Sequence, residues 1–89
     1  MKRVRVVVAG RVQGVFFRAE TADRARSLGL SGSVRNRPEG AVEAVFEGDE
    51  ERVDMLVRWC ERGPAGARVD SIISVEPEEP RGERGFSIG

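Results

Sequence analysis

The stretch that most constrains the fold is residues 10–18, Gly-Arg-Val-Gln-Gly-Val-Phe-Phe-Arg, which joins two segments of different periodicity. Before it, valines recur at every second position, which predicts a half-buried strand over about residues 2–9. After it, small and apolar residues recur at helical spacing, which predicts a helix over about residues 17–28. The stretch is therefore predicted to be a strand-to-helix turn.

Glycines in such a turn expose successive backbone N–H groups at the positive end of a helix dipole, an arrangement that binds anions. Arg18 adds a planar, permanently charged guanidinium that matches the oxygens of a phosphate. The pattern therefore predicts a phosphate-binding loop. A glycine-containing turn before a helix is also common without any ligand, and an arginine at a helix start is commonly a solvated surface charge. The pattern alone leaves both interpretations open.

The rest of the chain predicts the fold class. Further strands are expected at residues 33–36, 41–47 and 68–76, with a short terminal strand at Phe86 and Ile88. A turn at residues 37–40 joins the second and third strands as a hairpin. The order β-α-β-β-α-β, with the extra terminal strand, predicts a ferredoxin-like α/β (α+β) sandwich in which two helices cover one face of an antiparallel sheet.

Several details of these elements can be tested against the structure. The second helix is expected to begin at an Asp49 N-cap, because Asp accepts hydrogen bonds from N–H groups at a helix start. Adjacent Ile72 and Ile73 predict a bulge in the fourth strand, and residues 77–85 are expected to form an exposed loop. The buried helix residues are expected to be Ala19, Ala22, Ala25 and Leu28 in the first helix and Val53, Leu56, Val57 and Cys60 in the second.

Composition limits the chemistry that the chain can perform. With 89 residues, it is expected to be one small domain, residues 1–89, and most simply a monomer. The chain contains no His, no Tyr and one cysteine, which excludes Ser-His-Asp and Cys-His nucleophile systems and a His/Cys zinc cluster. No cofactor and no metal are therefore predicted. The absence of a signal-peptide apolar region and of a disulfide pair favours the cytoplasm, and no membrane partner is expected.

Residues 10–18 resemble the characteristic loop of the acylphosphatases, enzymes that hydrolyse the carboxyl–phosphate bond of acyl phosphates. A second block, Gly32-x-Val34-Arg35-Asn36 followed by Gly40-x-Val42 and Gly48, resembles the other motif of that family. Trp59, Gly63-Pro64-x-x-Ala67-x-Val69 and Phe86-Ser87-Ile88 are also similar, so the resemblance covers nearly the whole chain. One departure is Ser33, which stands where the family usually has an aromatic residue and leaves substrate preference and local stability open.

The resemblance implies a role for each matching residue. Phosphate would be bound by the loop residues Val12, Gln13, Gly14, Val15, Phe16, Phe17 and Arg18, and Asn36 would orient the attacking water. The proton of that water would pass to the substrate's own phosphate. Such chemistry needs no strong base, because a carboxylate leaves without a general acid and phosphoryl transfer depends mainly on positioning and charge stabilisation. The residues alone favour Asn36 as a turn residue that satisfies the hairpin backbone, and the resemblance reverses that preference.

Other interpretations remain open at this point. The domain could be a non-catalytic phosphate-binding or accessory module, and a ferredoxin-like sheet can also bind nucleic acid through exposed aromatics. Few aromatics lie in the predicted strands and the net charge is zero, so nucleic acid is not expected as a partner. The resemblance implies a small-molecule acyl phosphate instead. The apolar side chains of the loop are expected to anchor it from beneath: Val12, Val15, Phe16 and Phe17. Trp59 is expected to be a packing residue and Cys60 an inert core thiol. The acids Glu76, Glu78 and Glu79 are expected to be solvated.

Overall fold

The computed structural model describes residues 1–89 and contains five strands and two helices. In chain order these are β1 (Lys2–Arg11), α1 (Phe17–Ser27), β2 (Ser31–Asn36), β3 (Val42–Gly48), α2 (Glu50–Cys60), β4 (Arg68–Glu78) and β5 (Phe86–Ile88). The predicted order of elements, including the terminal strand, is confirmed. Neither helix has the length and apolar character needed to cross a membrane.

The sheet is five-stranded, with the order β4-β1-β3-β2-β5. The pairs β1–β3, β1–β4 and β2–β3 are antiparallel, as predicted, whereas β5 runs parallel to β2. The sheet is therefore mixed rather than purely antiparallel. The cause is topological: β4 and β5 follow one another in sequence but lie at opposite edges, so the chain between them crosses the whole sheet before β5 begins.

The core lies between one face of the sheet and the two helices. Alternate residues of the central strands are buried there, including Val6, Val8 and Phe46, each 0% exposed. The ring of Phe46 stacks on that of Phe86 with centroids 5.9 Å apart, and this contact fixes β5 to the core. Burial of such apolar side chains contributes about 1.5–3 kcal/mol each. The main apolar core therefore lies on the helix side of the sheet, although Val7 and Val45 on the other face are also buried.

The helices differ slightly from the expected pattern. In α1, Ala22 and Ala25 are buried as predicted, but Ala19 is exposed and Thr21 is buried in its place. The Thr21 hydroxyl can be buried because it donates a hydrogen bond of 2.7 Å to the carbonyl of Phe17 one turn earlier. In α2, the Asp49 carboxylate accepts a hydrogen bond of 3.2 Å from the Arg52 N–H, which confirms the predicted cap.

The bulge predicted in the fourth strand is present, but the strand is longer than expected. Val7 pairs with Ser74 and Val8 with Ile72, so Ile73 is the extra residue. The assignment of Pro77 and Glu78 to a loop is wrong, because both continue β4 to Glu78. Pro77 is tolerated there because β4 is an edge strand, where one side of the backbone needs no partner.

The face of the sheet without helices is covered by residues 79–85, which we call the strap. The buried Glu47 carboxylate accepts hydrogen bonds from the strap N–H groups of Arg81 (2.7 Å) and Gly82 (2.8 Å). Arg3, 4% exposed, contacts Glu47 at 3.1 Å and the strap residue Glu83 at 2.6 Å. The strap is therefore held against the central strands by a carboxylate and a guanidinium, and it leads the chain to β5.

Candidate active site

The loop between β1 and α1 turns through two residues with positive φ, Gly14 at 73° and Phe16 at 62°. The first hydrogen bond of α1 runs from the Glu20 N–H to the Phe16 carbonyl. None of the N–H groups of residues 13–19 donates a hydrogen bond to another group of the protein, and no side chain caps the helix. The loop therefore presents a series of free N–H donors at the positive end of the α1 dipole.

The loop is fixed from beneath by apolar contacts. Val12 and Phe17 are both 1% exposed and belong to the core, and Val15 packs against it. The ring of Phe17 lies against Trp59 with centroids 5.5 Å apart. It also lies so close to Gly63 that a Cβ at that position would come within 2.7 Å of the ring. These side chains anchor the loop as predicted, so only their backbone is available to a ligand.

Phe16 contradicts its predicted anchoring role. Its side chain is 79% exposed, and it is the only residue other than glycine with a positive φ. The left-handed backbone turns the side chain away from the core, whereas the neighbouring Phe17 points into it. A sequence with two adjacent phenylalanines gives no signal as to which of them is buried.

Gln13 connects the loop to the β2–β3 hairpin. Its side-chain amide donates hydrogen bonds to the carbonyl oxygens of Arg37 at 2.9 Å and Ala41 at 3.0 Å. The hairpin turn itself is closed by a hydrogen bond of 2.8 Å from the Arg37 N–H to the Ala41 carbonyl. The Gln13 side chain thus makes a structural contact that holds the hairpin beside the loop. Asn36, the last residue of β2, is held there with it.

Asn36 lies at the end of β2, paired with Val42, and shares the helix-covered face with it. Its Oδ1 atom is buried and has no hydrogen-bond partner in the protein. A buried acceptor without a partner is unfavourable unless another molecule supplies the donor. The hairpin backbone closes through Arg37 and Ala41 without it, so the role of a turn residue does not account for this side chain.

Arg18, in the first turn of α1, extends towards β5. Its Nη1 donates a hydrogen bond of 2.7 Å to the carbonyl oxygen of Gly89, while the Gly89 N–H binds the carbonyl of Val34 at 2.8 Å. Since Val34 precedes Asn36 by two residues on β2, this contact directs the guanidinium to the end of β2 where Asn36 lies. Arg18 and Asn36, the two predicted catalytic residues, are therefore brought to the same end of the sheet.

A cavity of about 370 Å³ opens at this end of the molecule. It is lined by Val12, Gly14, Phe16, Phe17, Arg18, Ala19 and Ile88. The sequence predicts Ile88 only as a strand residue and gives no signal that it reaches this cavity, because the parallel pairing of β5 with β2 depends on the distant crossing of the strap. The free N–H donors and the guanidinium at this cavity suit an oxyanion, and the unpartnered amide oxygen of Asn36 lies at the same end of the sheet without lining the cavity.

Residues near the site have structural roles. Ser33 pairs with Val45 on the helix-free face, opposite to Asn36 as strand parity predicts. The Arg35 and Arg37 guanidiniums both bind the Glu43 carboxylate, at 3.1 and 3.6 Å.

Glu78 is not solvated as expected, because it binds Arg3 and Arg5. No group of three or more His, Cys, Asp or Glu side chains is placed to hold a metal ion. The metal-free site stays a prediction.

Trp59 and Cys60 pack as expected. The Trp59 indole is half-buried against Phe17, and the Arg24 guanidinium lies 4.6 Å from the centre of its ring. Cys60 is 0% exposed, and burial raises the pKa of its thiol to about 12. A thiol with that pKa stays protonated near neutral pH, so Cys60 is not a nucleophile.

The fold and the site together define a ferredoxin-like α/β protein with a loop of free N–H donors at the start of its first helix. Comparison with known proteins identifies the family: the Acylphosphatase family model matches residues 4–88, and the chain belongs to that family. The resemblance predicted from the two sequence motifs is thereby confirmed.

Individual relatives agree over nearly the whole length. The chain is 59% identical to an acylphosphatase of Rubrobacter xylanophilus, over 98% of this chain and 79% of the relative. It is 57% identical to an acylphosphatase of Trichormus variabilis, over 97% of this chain and 84% of the relative. The crystal structure of acylphosphatase from Bacillus subtilis superimposes with a TM-score of 0.94 at 37% identity, covering 100% of this chain and 99% of that one.

Proposed function

We propose that this protein is an acylphosphatase that hydrolyses acyl phosphates to a carboxylate and inorganic phosphate, with Arg18 and Asn36 as its catalytic residues. Family membership supports the reaction. The observation that carries the assignment of residues is the buried, unpartnered Oδ1 of Asn36, on the hairpin that Gln13 links to the loop of free N–H groups. The non-catalytic module is not favoured, because these groups suit both a phosphate and a water.

The substrate phosphate is bound by the N–H groups of the loop and by the guanidinium of Arg18. Several N–H groups at a helix N-terminus bind phosphate oxygens with their dipoles already oriented. Arg18 contributes a charge-assisted hydrogen bond and offsets negative charge that spreads over the equatorial oxygens in the transition state. Its hydrogen bond to the Gly89 carbonyl fixes the direction of the side chain before substrate arrives.

The attacking water is oriented by Asn36. Its Oδ1 accepts a hydrogen bond from one O–H of the water, which directs an oxygen lone pair towards phosphorus. The new O–P bond forms as the bond from phosphorus to the carboxylate oxygen breaks, and the proton of the water passes to a phosphate oxygen. The carboxylate takes both electrons of the broken bond and leaves unprotonated, because carboxyl groups of this kind have a pKa of about 4.3. No residue of the protein gains or loses a proton.

The remaining predictions belong to this proposal. The protein acts without metal or cofactor, as a monomeric single domain of the cytoplasm, on a small-molecule substrate. Light scattering on the purified protein measures its molecular mass in solution and so tests whether it is a monomer. Activity that is unchanged by EDTA supports the metal-free reaction, and activity that EDTA abolishes contradicts it.

The test is the rate of benzoyl phosphate hydrolysis, measured with EDTA present, for the wild type and three variants. Arg18→Ala should lower kcat/KM by about a thousandfold, since it removes the guanidinium from the transferring phosphoryl group. Asn36→Ala should lower kcat by about a hundredfold with little change in KM, since it affects the position of the water more than the bound substrate. Arg58→Ala, an exposed arginine of α2 without an ion pair, is the matched control and should behave as wild type.

Each alternative gives a different result. If Asn36→Ala raised KM and left kcat unchanged, the role in orienting water would be wrong. Asn36→Asp keeps the shape of the side chain and adds a negative charge that repels the phosphate. It therefore separates the effect of side-chain shape from the effect of charge. If the wild type bound inorganic phosphate in a manner that depends on Arg18 but hydrolysed no acyl phosphate, the protein would be a binding module.

A further inference from the structure

Phe16 combines two features that are each unfavourable for the folded protein. Its backbone is left-handed, at φ 62° and ψ 18°, a conformation that glycine or asparagine adopts more easily. Its ring is also 79% exposed to water, so no burial offsets the strain. The turn of the loop would form as well with glycine at this position. Stability therefore does not explain the phenylalanine, and strained residues of this kind concentrate at functional sites.

Ile88 provides a second apolar side chain on the same cavity. It is 45% exposed and lines the cavity together with Phe16 and Arg18. Ile88 reaches this place because β5 pairs in parallel with β2, with Ile88 opposite Val34, and because Arg18 binds the next residue along, Gly89. Two exposed apolar side chains, one on the loop and one on β5, thus adjoin the phosphate-binding groups.

We propose that Phe16 and Ile88 form the binding surface for the acyl group and select acyl phosphates with apolar, especially aromatic, acyl groups over those with small ones. This proposal rests on the proposed function. With the phosphate held by the loop N–H groups and Arg18, the carboxyl oxygen and the acyl group of the bound substrate must extend along the cavity. The cavity lining contains no charged side chain apart from Arg18, so an apolar acyl group gains contact there without desolvating another charge.

The test compares two substrates that share the phosphate and differ in the acyl group. The selectivity is the ratio of kcat/KM for benzoyl phosphate to kcat/KM for acetyl phosphate. Phe16→Gly retains the backbone freedom that the turn requires and removes the ring, and it should lower this ratio about tenfold. Ile88→Ala should lower it about threefold. Damage to the phosphate site or to folding affects both substrates and cancels in the ratio.

The matched control is Ile73→Ala, because Ile73 is an equally apolar side chain, 59% exposed, on β4 and away from the cavity. Its ratio should equal that of the wild type. An unchanged ratio in Phe16→Gly or in Ile88→Ala overturns the proposal for that residue while leaving the proposed function intact. Failure of the wild type to hydrolyse either substrate would instead overturn the proposed function.

Discussion

Two regions of this molecule present successive backbone N–H groups, and they differ in whether the protein itself supplies an anion for them. In the strap, the N–H groups of Arg81 and Gly82 bind the carboxylate of Glu47, which Arg3 also contacts. In the loop before α1, the N–H groups of residues 13–19 have no partner within the protein, and Arg18 lies beside them.

The comparison sets a structural oxyanion site beside a proposed phosphate site built of the same groups. The strap binds an anion that β3 supplies, Glu47, and gains stability from it, because the donors around the buried carboxylate are used. The loop leaves its donors free, which sacrifices that stability and makes them available to a substrate phosphate. The start of α2 repeats the strap arrangement on a smaller scale, with the carboxylate of Asp49 on the N–H of Arg52.

The largest effect is expected from giving the loop an anion of its own. Phe16→Asp places a carboxylate at the start of α1, where it is favoured by the dipole and repels the substrate phosphate. We expect kcat/KM for benzoyl phosphate to fall about a thousandfold, with no loss of thermal stability.

Phe16→Asn is the control for this change, because Asn has the shape of Asp without its charge and tolerates a left-handed backbone. Phe16→Asn should retain most of the wild-type activity towards acetyl phosphate, whereas Phe16→Asp should lose it. Equal losses in the two variants would show that charge is not the cause.

The next effect comes from removing the anion of the strap. Glu47→Gln leaves the 4% exposed Arg3 with a weaker partner and turns an amide donor towards one of the two strap N–H groups. Breaking a buried pair of this kind costs about 3 kcal/mol, which urea unfolding measures. Glu79→Gln, an exposed acid of the same strap, should unfold as wild type does. A Glu47→Gln protein of wild-type stability would contradict the role given to this carboxylate.

The pH dependence of stability follows from the same contacts. The N–H of Arg81, together with Gly82 and Arg3, holds the pKa of Glu47 below its usual value of 4.5 despite burial. A carboxylate with a lowered pKa in the folded state stabilises the protein above its unfolded pKa, and this contribution is lost as the pH falls through the folded value.

The difference in unfolding free energy between wild type and Glu47→Gln should therefore be constant from pH 7 to about 4.5 and shrink at lower pH. Glu78, whose pKa is lowered by Arg5 and Arg3, remains in the variant and gives it a residual acid sensitivity. Urea titrations at several pH values measure this. A difference that grew on acidification would contradict the assignment.

The smallest effect is expected at the start of α2. Asp49→Ala removes the cap and should lower the unfolding free energy by about 1 kcal/mol without altering kcat or KM. Asp49→Asn, which also caps, should restore the stability. A change in activity would mean that α2 is coupled to the site.

The positions of the loop, Arg18 and Asn36 could be predicted from the sequence, whereas the strap and its contacts could not. The loop, Arg18 and Asn36 lie in short segments whose strand, turn and helix patterns are local, so their neighbourhood follows once the order of elements is known. The strap depends on β5 adding at the edge opposite to β4, and no local pattern encodes that crossing. The contacts of Glu78 with Arg3 and Arg5 are missed for another reason: Pro77 indicates a loop, but β4 is an edge strand and continues through it to Glu78.

The opposite burial of Phe16 and Phe17 could not be predicted for a different reason. It depends on a single left-handed residue, and glycine is the usual indicator of such a position. Gly14, by contrast, was identifiable as a turn residue from its type alone.

The crossing of the strap also bears on local unfolding. β5 has only three residues in the sheet, so it and the strap can detach together while the other strands stay paired. In that open form the loop keeps its contacts with Trp59 and Gly63, but Ile88 leaves the cavity and Arg18 loses the Gly89 carbonyl. Amide hydrogen exchange at Arg81 and Gly82 reports how often this opening occurs. Where closing is faster than exchange, the protection of these amides gives the fraction of open molecules, in which the proposed acyl-group surface is incomplete.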